Sequence, residues 1–425
     1  MFTDEAFSMA ASGLTLRRHS GVLEIPVHYM RGGTSTGIVV WEALLPQDES
    51  LRAELLRHLM GVPQAGTERG NRQITGLGRG PATSNKVFLM GAEQTASGVR
   101  LISTLAQLAG DHAGIDWSVN CGNMSSALPL WAIDAGLCQL PRGQTCEIEI
   151  KNTNTGVLTI ARMKCDEHGR FATAEIPGVT GAFPSVDLFL QSPVGNKTGA
   201  LLPTGAVMDF IAGHEVSCVD VAVPMVIAQA SSFGKTGQES IVELEADLPF
   251  MEALREVWIE AGLKMRLRRR DGELMSRAEI ERSETIPKVC IVGAPRNGGN
   301  IAVRYFTPQT GHASMAVSGG CCLAAACLIP GTTAHRLATG IAPLSTELAD
   351  VEVSIENPAG RLDATVVAAL QGGEINISSA AYRRSAQILM RGYVPLYRAS
   401  AELASALTER MPSNDVPTAS LFNGT

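Results

Sequence analysis

Two stretches of this chain share one design, a glycine-bearing turn that opens into a run apolar on nearly every face. The first, VNCGNMSSALPLWAIDAGL, covers residues 119–137, and the second, GHASMAVSGGCCLAAACLIPG, covers residues 311–331. A helix that is apolar all round is stable only when every side is covered, so each stretch demands its own enclosing shell. In the first run Leu128, Leu130, Trp131, Ile133, Ala135 and Leu137 supply the apolar faces, and Pro129 stands near its start. Residues 115–119 read as a strand leading into the first turn, and 300–306 as a strand ahead of the second. Each half therefore reads strand, turn, buried helix, and the pairing suggests internal duplication. If the halves face one another, both helix N-termini point at one cleft and together suit a small polyanion.

A length of 425 residues accommodates two such shells, and 45 % hydrophobic against 18 % charged residues describes a compact chain with sizeable cores. The formal net charge of −7 disfavours nucleic acid or an anionic membrane surface as a partner. An anionic substrate must then be drawn in by a local cluster. Nine cysteines, an odd number, stand alone or crowd together as Cys321, Cys322 and Cys327, which points to reduced thiols and a cytoplasmic setting. No CxxC pair occurs and the histidines are scattered, so no metal site is expected. The first residues include Asp4 and Glu5 with no preceding basic region, a poor signal peptide, and no window approaches eighteen clean apolar residues.

Along the chain, 25–30 and 38–41 read as strands flanking the loop RGGTSTG at 31–37. That loop could gather amides and hydroxyls on an anion beside Arg31, or could be a plain wide hairpin turn. Leu51, Leu55, Leu56 and Leu59 recur at helical spacing within 46–60. A second glycine-rich segment, GNRQITGLGRGPATSNK at 70–86, lacks the GxxxxGK[ST] pattern and precedes a strand at 87–90, so it does not suit a nucleotide. Its Lys86 could clamp a carboxylate or exchange a proton if desolvated, or could be an ordinary exposed lysine. Strands follow at 99–106, 146–150, 156–163 and 171–176, then a loop rich in Gly and Pro over 177–203 with an extended interruption at 187–189, where a domain crossing is expected near Gly199. The second half reads as strands at 216–227, a helix at 248–262, strands at 288–292 and 300–306, a hairpin over 352–367, and a last strand at 385–394. Cys121, on the turn before the first buried helix, lies at the positive end of a helix macrodipole, which favours an anionic group, a thiolate or a substrate carboxylate. Taken alone, it fits a small core cysteine better.

MRGGTSTG at 30–37, TSNKV at 83–87, NCGN at 120–123, LPTG at 202–205, HASMAVSGG at 312–320, NPAG at 357–360 and SAQILMRGYV at 385–394 together resemble the PrpF family, over roughly residues 25–397. The resemblance implies an α/β (α+β) chain with two similar domains of diaminopimelate epimerase-like fold. Each would be a curved mixed β-sheet around a central buried helix, with the active site in the interdomain cleft. The corresponding division is a flexible tail at 1–21, a first domain at 22–199 with a returning strand at 385–398, a second at 200–384 and a C-terminal tail at 399–425 that carries one short helical stretch at 401–410.

The resemblance further implies that Cys121 and Lys86 are the catalytic pair. Substrate binding falls to Arg31, Gly32, Gly33, Thr34 and Ser35, to Ser84 and Asn85, to Asn120, Gly122, Asn123 and Met124, and to His312, Ser314, Met315, Ser318, Gly319 and Gly320. No cofactor or metal is implied. The activity is allylic proton transfer that moves a C=C bond in an unsaturated di- or tricarboxylate, with 4-oxalomesaconate tautomerisation favoured and isomerisation of 2-methylaconitate or aconitate as the alternative. A carboxylate-binding protein without catalysis is the reading of another class. The partner is then a small anionic polycarboxylate, with neither nucleic acid nor membrane, and a homodimer is compatible with the sequence. Two departures stand out. Thr36 occupies the place where the family loop usually carries a lysine, and Met315, Ala316 and Val317 stand where the epimerases carry a second catalytic cysteine, which argues against a symmetric two-thiol racemisation.

Overall fold

The structure, a computed structural model, describes residues 14–80, 84–96, 98–117, 120–269, 271–283 and 285–411. Thr83, Val119, the first thirteen residues of the expected N-terminal tail and the C-terminal tail after residue 411 lie outside the described residues. The chain divides into two compact units, one of Met1–Ala174, Phe183–Val186 and Arg384–Thr425, the other of Glu175–Ala182 and Asp187–Arg383.

In the first unit a short strand, Arg17–His19 (β1), pairs antiparallel with Val22–Gly32 (β2), which forms a hairpin with Ser35–Trp41 (β3). Leu16 is fully buried, so the packed chain starts before residue 22. Glu49–Met60 (α1) starts at the Asp48 side chain, which accepts the Ser50 and Leu51 N–H groups, and ends at Gly61, whose φ of +66° suits glycine. Lys86–Thr95 (β4) runs parallel to β3, and Gly98–Leu108 (β5) runs antiparallel to β4. Next come Ile115–Asp116 (β6), the short helix Gly122–Ser125 (α2) and Ala127–Asp134 (α3). Thr145–Asn152 (β7) pairs parallel with β5, and Leu158–Lys164 (β8) pairs antiparallel with β7. Helix α3 touches both β2 and β8, strands at opposite ends of this ladder. One helix can reach both only because the sheet bends round it. The expected single helix is split at Ser126. Pro129 explains the split, since it has no N–H for the Ser125 carbonyl and its ring crowds that group.

Thr173–Ile176 (β9) and Val179–Gln191 (β10) carry the chain into the second unit. The expected loop over 177–203 is therefore a thirteen-residue strand in its first half. Val186, Leu188 and Phe189 are buried there, and their burial outweighs the Gly and Pro that suggested a loop. Gly199 lies inside the second unit, and the chain crosses between the units at 174–175, 182–183, 186–187 and 383–384. Asp209–Ile211 (β11), His214–Val221 (β12) and Val223–Gln229 (β13) follow as an antiparallel run, then helix Leu248–Lys264 (α4). Lys288–Gly293 (β14) is parallel to β13, and Ile301–Thr307 (β15) is antiparallel to β14. After Thr310–Gly311 (β16) comes the buried helix Val317–Leu328 (α5), then Ala349–Asn357 (β17) parallel to β15 and Gly360–Gln371 (β18) antiparallel to β17. Helix α5 touches β12, β13, β17 and β18, so this sheet also wraps its helix. Close wrapping requires glycine: a Cβ on Gly319 would lie 2.5 Å from the Tyr305 ring, and one on Gly320 2.5 Å from the Tyr382 ring.

The two units repeat one pairing plan. The series β2, β3, α1, β4, β5, β6, α2–α3, β7, β8 matches β12, β13, α4, β14, β15, β16, α5, β17, β18 in order and in parallel or antiparallel sense. A last long strand, Glu374–Pro395 (β19), pairs first with β18 and then with β2. Helix Ala401–Thr408 (α6), inside the helical stretch expected at 401–410, then docks Leu403 and Leu407 into the first unit's core. No described helix is long and apolar enough to cross a membrane. Among the described residues no cluster of His, Cys, Asp and Glu is placed to hold a metal ion.

Candidate active site

Strand alternation decides what faces α2 and α3. Val87 and Leu89 of β4 join the cluster that packs α1, so Lys86, Phe88 and Met90 point to the other face. That face is the one covered by α3, because His28, the cross-strand partner of Val39 beside Phe88, sets its ring edge-on to Trp131 of α3 at 6.4 Å. Gly37 is the register partner of Lys86, and Ser35 stands two residues before it on the same face. Strand spacing then puts the Cα atoms of Ser35 and Lys86 about 8 Å apart.

Cys121 caps α2, with its Sγ accepting the Met124 N–H at 3.5 Å and lying 3.8 Å from Ser35 Oγ. The Asn120 carboxamide oxygen accepts the Cys121 N–H at 2.7 Å and the Ser125 hydroxyl at 3.3 Å, which fixes the turn ahead of the thiol. Asn123 Nδ2 donates to Thr34 Oγ1 at 3.2 Å, and Asn123 Oδ1 accepts from Arg384 Nε at 2.9 Å. The turn and the RGGTS loop meet at van der Waals limits. A Cβ on Gly32 would lie 2.6 Å from the Asn123 carbonyl oxygen, and one on Gly33, whose φ is +54°, would lie 2.5 Å from Asn123 Oδ1. Met124 is buried beneath this contact. Arg31 is also buried. Its Nη1 donates to the Gly33 carbonyl at 2.9 Å and to the Ser385 carbonyl at 3.0 Å, so one arm of the guanidinium shapes the loop. Phe183 stacks on it at 4.6 Å, Nη2 is buried without a hydrogen-bond partner, and burial lowers its pKa.

Lys86 is 5 % exposed and donates from Nζ to Gln107 Oε1 at 2.5 Å, while Gln107 Nε2 donates back to the Asn85 carbonyl at 3.2 Å. Burial lowers the lysine pKa, and the charge of Cys121 opposes that shift, which makes the two groups electrostatic neighbours. Asn85 faces away from them. Its Oδ1 accepts from Gln73 Nε2 at 3.0 Å and from the Arg79 N–H at 3.1 Å, and its Nδ2 donates to Gln73 Oε1 and to the Gly80 carbonyl, both at 3.2 Å. This side chain ties down the glycine-rich segment behind Lys86. Ser84 is half-buried at the strand entrance. Near the position of the missing family lysine, Tyr29 Oη donates to Thr36 Oγ1 at 3.4 Å, and Arg79 lies over the Tyr29 ring at 4.9 Å.

The remaining expected residues lie in the second unit. His312 Nδ1 accepts the Ser314 N–H at 2.9 Å, and its ring stands edge-on to Tyr305 at 5.8 Å. Ser314 Oγ donates to Asn357 Oδ1 at 3.2 Å. Met315 is buried, Ser318 is half-buried, and Gly319 and Gly320 form the first turn of α5.

A family model described as PrpF protein matches residues 22–397. The chain belongs to the PrpF family. It is 33 % identical over 381 residues to a 4-oxalomesaconate tautomerase of Pseudomonas putida, covering 89 % of this chain and 98 % of the relative. It is 32 % identical over 382 residues to a (4E)-oxalomesaconate Delta-isomerase of Novosphingobium sp., covering 89 % and 99 %. A crystal structure of methylitaconate-delta-isomerase superposes with a TM-score of 0.74 at 25 % identity, covering 91 % of this chain and 98 % of that one.

In this PrpF protein the sequence pattern did not single out Gln107, Arg384 or Gln73. Gln107 is the register partner of Lys86 on an antiparallel strand, a signal present only once the β4–β5 pairing is known. Arg384 reaches Asn123 across 261 residues of chain, and no local spacing could have found it.

Proposed function

We propose that this isomerase of the PrpF family moves a C=C bond in an unsaturated polycarboxylate by allylic proton transfer between the substrate carbon, Lys86 and Cys121, with 4-oxalomesaconate as substrate. The observation that carries the reading is the placement of the buried Lys86 on the same sheet face as Ser35, whose Oγ lies 3.8 Å from Cys121 Sγ, with burial lowering the lysine pKa. A neutral amine can take the proton from the carbon allylic to the double bond. The electron pair spreads over the allyl unit onto a carboxylate as a dienolate, and a proton returns at the other end of the unit. Lys86 is the base in this scheme, and the Cys121 thiol is the second proton carrier. The dienolate oxygens need donors in place before the reaction, which the turn after Cys121 and the RGGTS loop can supply. The choice of 4-oxalomesaconate rests on the two oxalomesaconate-acting relatives. The methylitaconate-delta-isomerase likeness keeps smaller unsaturated dicarboxylates as the second reading. All nine cysteines are free thiols, which supports a reducing, cytoplasmic setting.

The test is proton–deuterium exchange in D2O followed by NMR across 4-oxalomesaconate, 2-methylaconitate, aconitate and methylitaconate. The expected result is exchange and isomerisation fastest with 4-oxalomesaconate, lowered by about 10²–10⁴-fold in Lys86→Met and in Cys121→Ala. Exchange with none of the four by a folded wild-type protein would overturn the proposal.

A further inference from the structure

The first unit holds a cavity of about 790 Å³, a volume typical of small-molecule sites, at the end of α1. One wall is the last turn of α1 with the loop after it, another is the glycine-rich segment at 70–75, and the third is the end of β19 with the residues that follow, 394–398. All three belong to the same unit. Val62 and Leu396 on its walls are members of the cluster that packs α1, so the cavity opens on the side of the sheet away from the one that Lys86 faces.

The chain carries a net charge of −7, yet Arg57, Arg72 and Arg398 line this cavity and Glu68 is the one acid among its described lining residues. Burial lowers the His58 pKa, so the positive charge comes from the arginines. Arg57 Nε donates to the Ala113 carbonyl at 2.9 Å, which holds that guanidinium in place. Among the described residues neither Arg72 nor Arg398 has an ion-pair partner. The end of a helix would ordinarily repel an anion through its free carbonyls. Here each of those carbonyls has a protein donor: the Val62 N–H on Arg57, the Gly61 N–H on His58, the Leu77 N–H on Leu59 and the Gly78 N–H on Met60. Asn71 Nδ2 donates to the next carbonyl, that of Gly61, at 2.9 Å. What the cavity presents to a ligand is therefore arginine N–H groups.

Between the arginines the surface is apolar. Val62, Pro63, Pro395 and Leu396 form the walls, and at the mouth Ile74 is 83 % exposed and Tyr397 79 % exposed. Two large side chains left open on one cavity form a patch rather than scattered exceptions. Guanidinium groups pair with carboxylates through parallel N–H groups and stack on flat rings, and a tyrosine ring packs on such rings as well. Three arginines against one glutamate leave two positive charges, the complement of a dianion.

We propose that this cavity is a second ligand site, which binds a small aromatic dicarboxylate with its carboxylates on Arg72 and Arg398 and its ring against Ile74 and Tyr397. The site is separate from Lys86 and Cys121, but its wall continues towards them. Asn71 Oδ1 accepts the Gln73 N–H at 3.0 Å, and Gln73 in turn holds Asn85, the neighbour of Lys86.

Phthalate is titrated by calorimetry into wild type, Arg72→Gln, Arg398→Gln, Lys86→Met and Cys121→Ala, with circular dichroism to check each fold. Both arginines are exposed, so their variants are expected to fold. Expected is binding of one phthalate by wild type, weakened about tenfold or more in each arginine variant and changed less than about threefold in Lys86→Met and Cys121→Ala. Succinate, with the same two charges and no ring, should bind about tenfold more weakly than phthalate. Absence of phthalate binding by wild type, wild-type affinity in both arginine variants, or loss of binding in the folded Lys86 or Cys121 variant would each overturn the site. Equal affinity for succinate and phthalate would overturn the assigned ligand class.

Discussion

Replacing Gly32 by alanine tests the geometry of the proposed active-site turn directly. The new methyl carbon would sit 2.6 Å from the Asn123 carbonyl oxygen and 2.8 Å from both the Cα and the carbonyl oxygen of Met124. All three are backbone atoms, so no rotamer change relieves the clash. Ordinary contact distance requires the β2 end and the first turn of α2 to separate by about 0.6–0.8 Å, a displacement of the kind that overpacking a filled core produces at about 1–3 kcal/mol. The displaced turn carries Cys121, whose sulfur is held 3.8 Å from Ser35 Oγ and 3.5 Å from the Met124 nitrogen. If Cys121 is a reacting group as proposed, its misplacement by about 1 Å costs about 10²-fold in rate. We expect Gly32→Ala to lower kcat in the exchange assay by about 10–10²-fold, to change KM less, and to lower the denaturation midpoint. A variant with wild-type kcat and unchanged stability would refute the close approach of the loop to the turn.

Further outcomes follow from the same contacts. If neutral Lys86 is the base, the rate rises with pH along a limb whose midpoint lies below that of an exposed lysine, because burial lowers this pKa. Gln107→Leu, which removes an acceptor of the lysine N–H, should move that limb to still lower pH, and a limb that does not move in a pH–rate profile would exclude the contact. Asp134→Asn should destabilise the first unit by about 1–2 kcal/mol in urea titration, since Asp134 holds His28 at 3.0 Å and Arg391 at 2.6 Å and Arg391 is largely exposed. Burial raises the Asp134 pKa but Arg391 and His28 outweigh it, so the net value is lowered; the stability it brings is present above the unfolded carboxyl pKa and lost as pH falls through the folded one. The wild-type advantage over Asp134→Asn should therefore fade in acid. Asn85→Leu should leave four hydrogen bonds of the 73–85 segment unmade, and is expected to raise protease cleavage there while lowering kcat through Lys86.

The buried helices were legible because a run apolar on every face has no other stable fate, and α3 and α5 are indeed buried. Of the strand at 179–191 only 187–189 was, because Gly181 and Pro184 interrupt the rest and its burial comes from distant chain. Pro129 was visible, but its effect on Ser125 could be seen only once the helix was known to continue back to Cys121. At the site, Cys121 and Lys86 lie on elements that the residues alone suggested. What brings them to one face is the register of β3 on β4, a property that no local pattern encodes. Asn85 shows the opposite limit: adjacent to Lys86 in sequence, it points to the other side of the strand and serves the loop.

Strand β19 sets an order of events during synthesis. The edge of β2, which leads into the RGGTS loop, finds its partner only at residues 386–395, so Gly32 waits for Ala386. Until the last tenth of the chain has left the ribosome, one edge of the apolar strand β2 lacks its partner in the first unit, while the second has nearly all of its own ladder available. The half made first is thus completed last. A chain truncated before β19 would lack the closing strand of its first unit and the Ser385 carbonyl that accepts the Gly33 N–H. An interrupted translation product would carry both Lys86 and Cys121 without the backbone support of the loop between them.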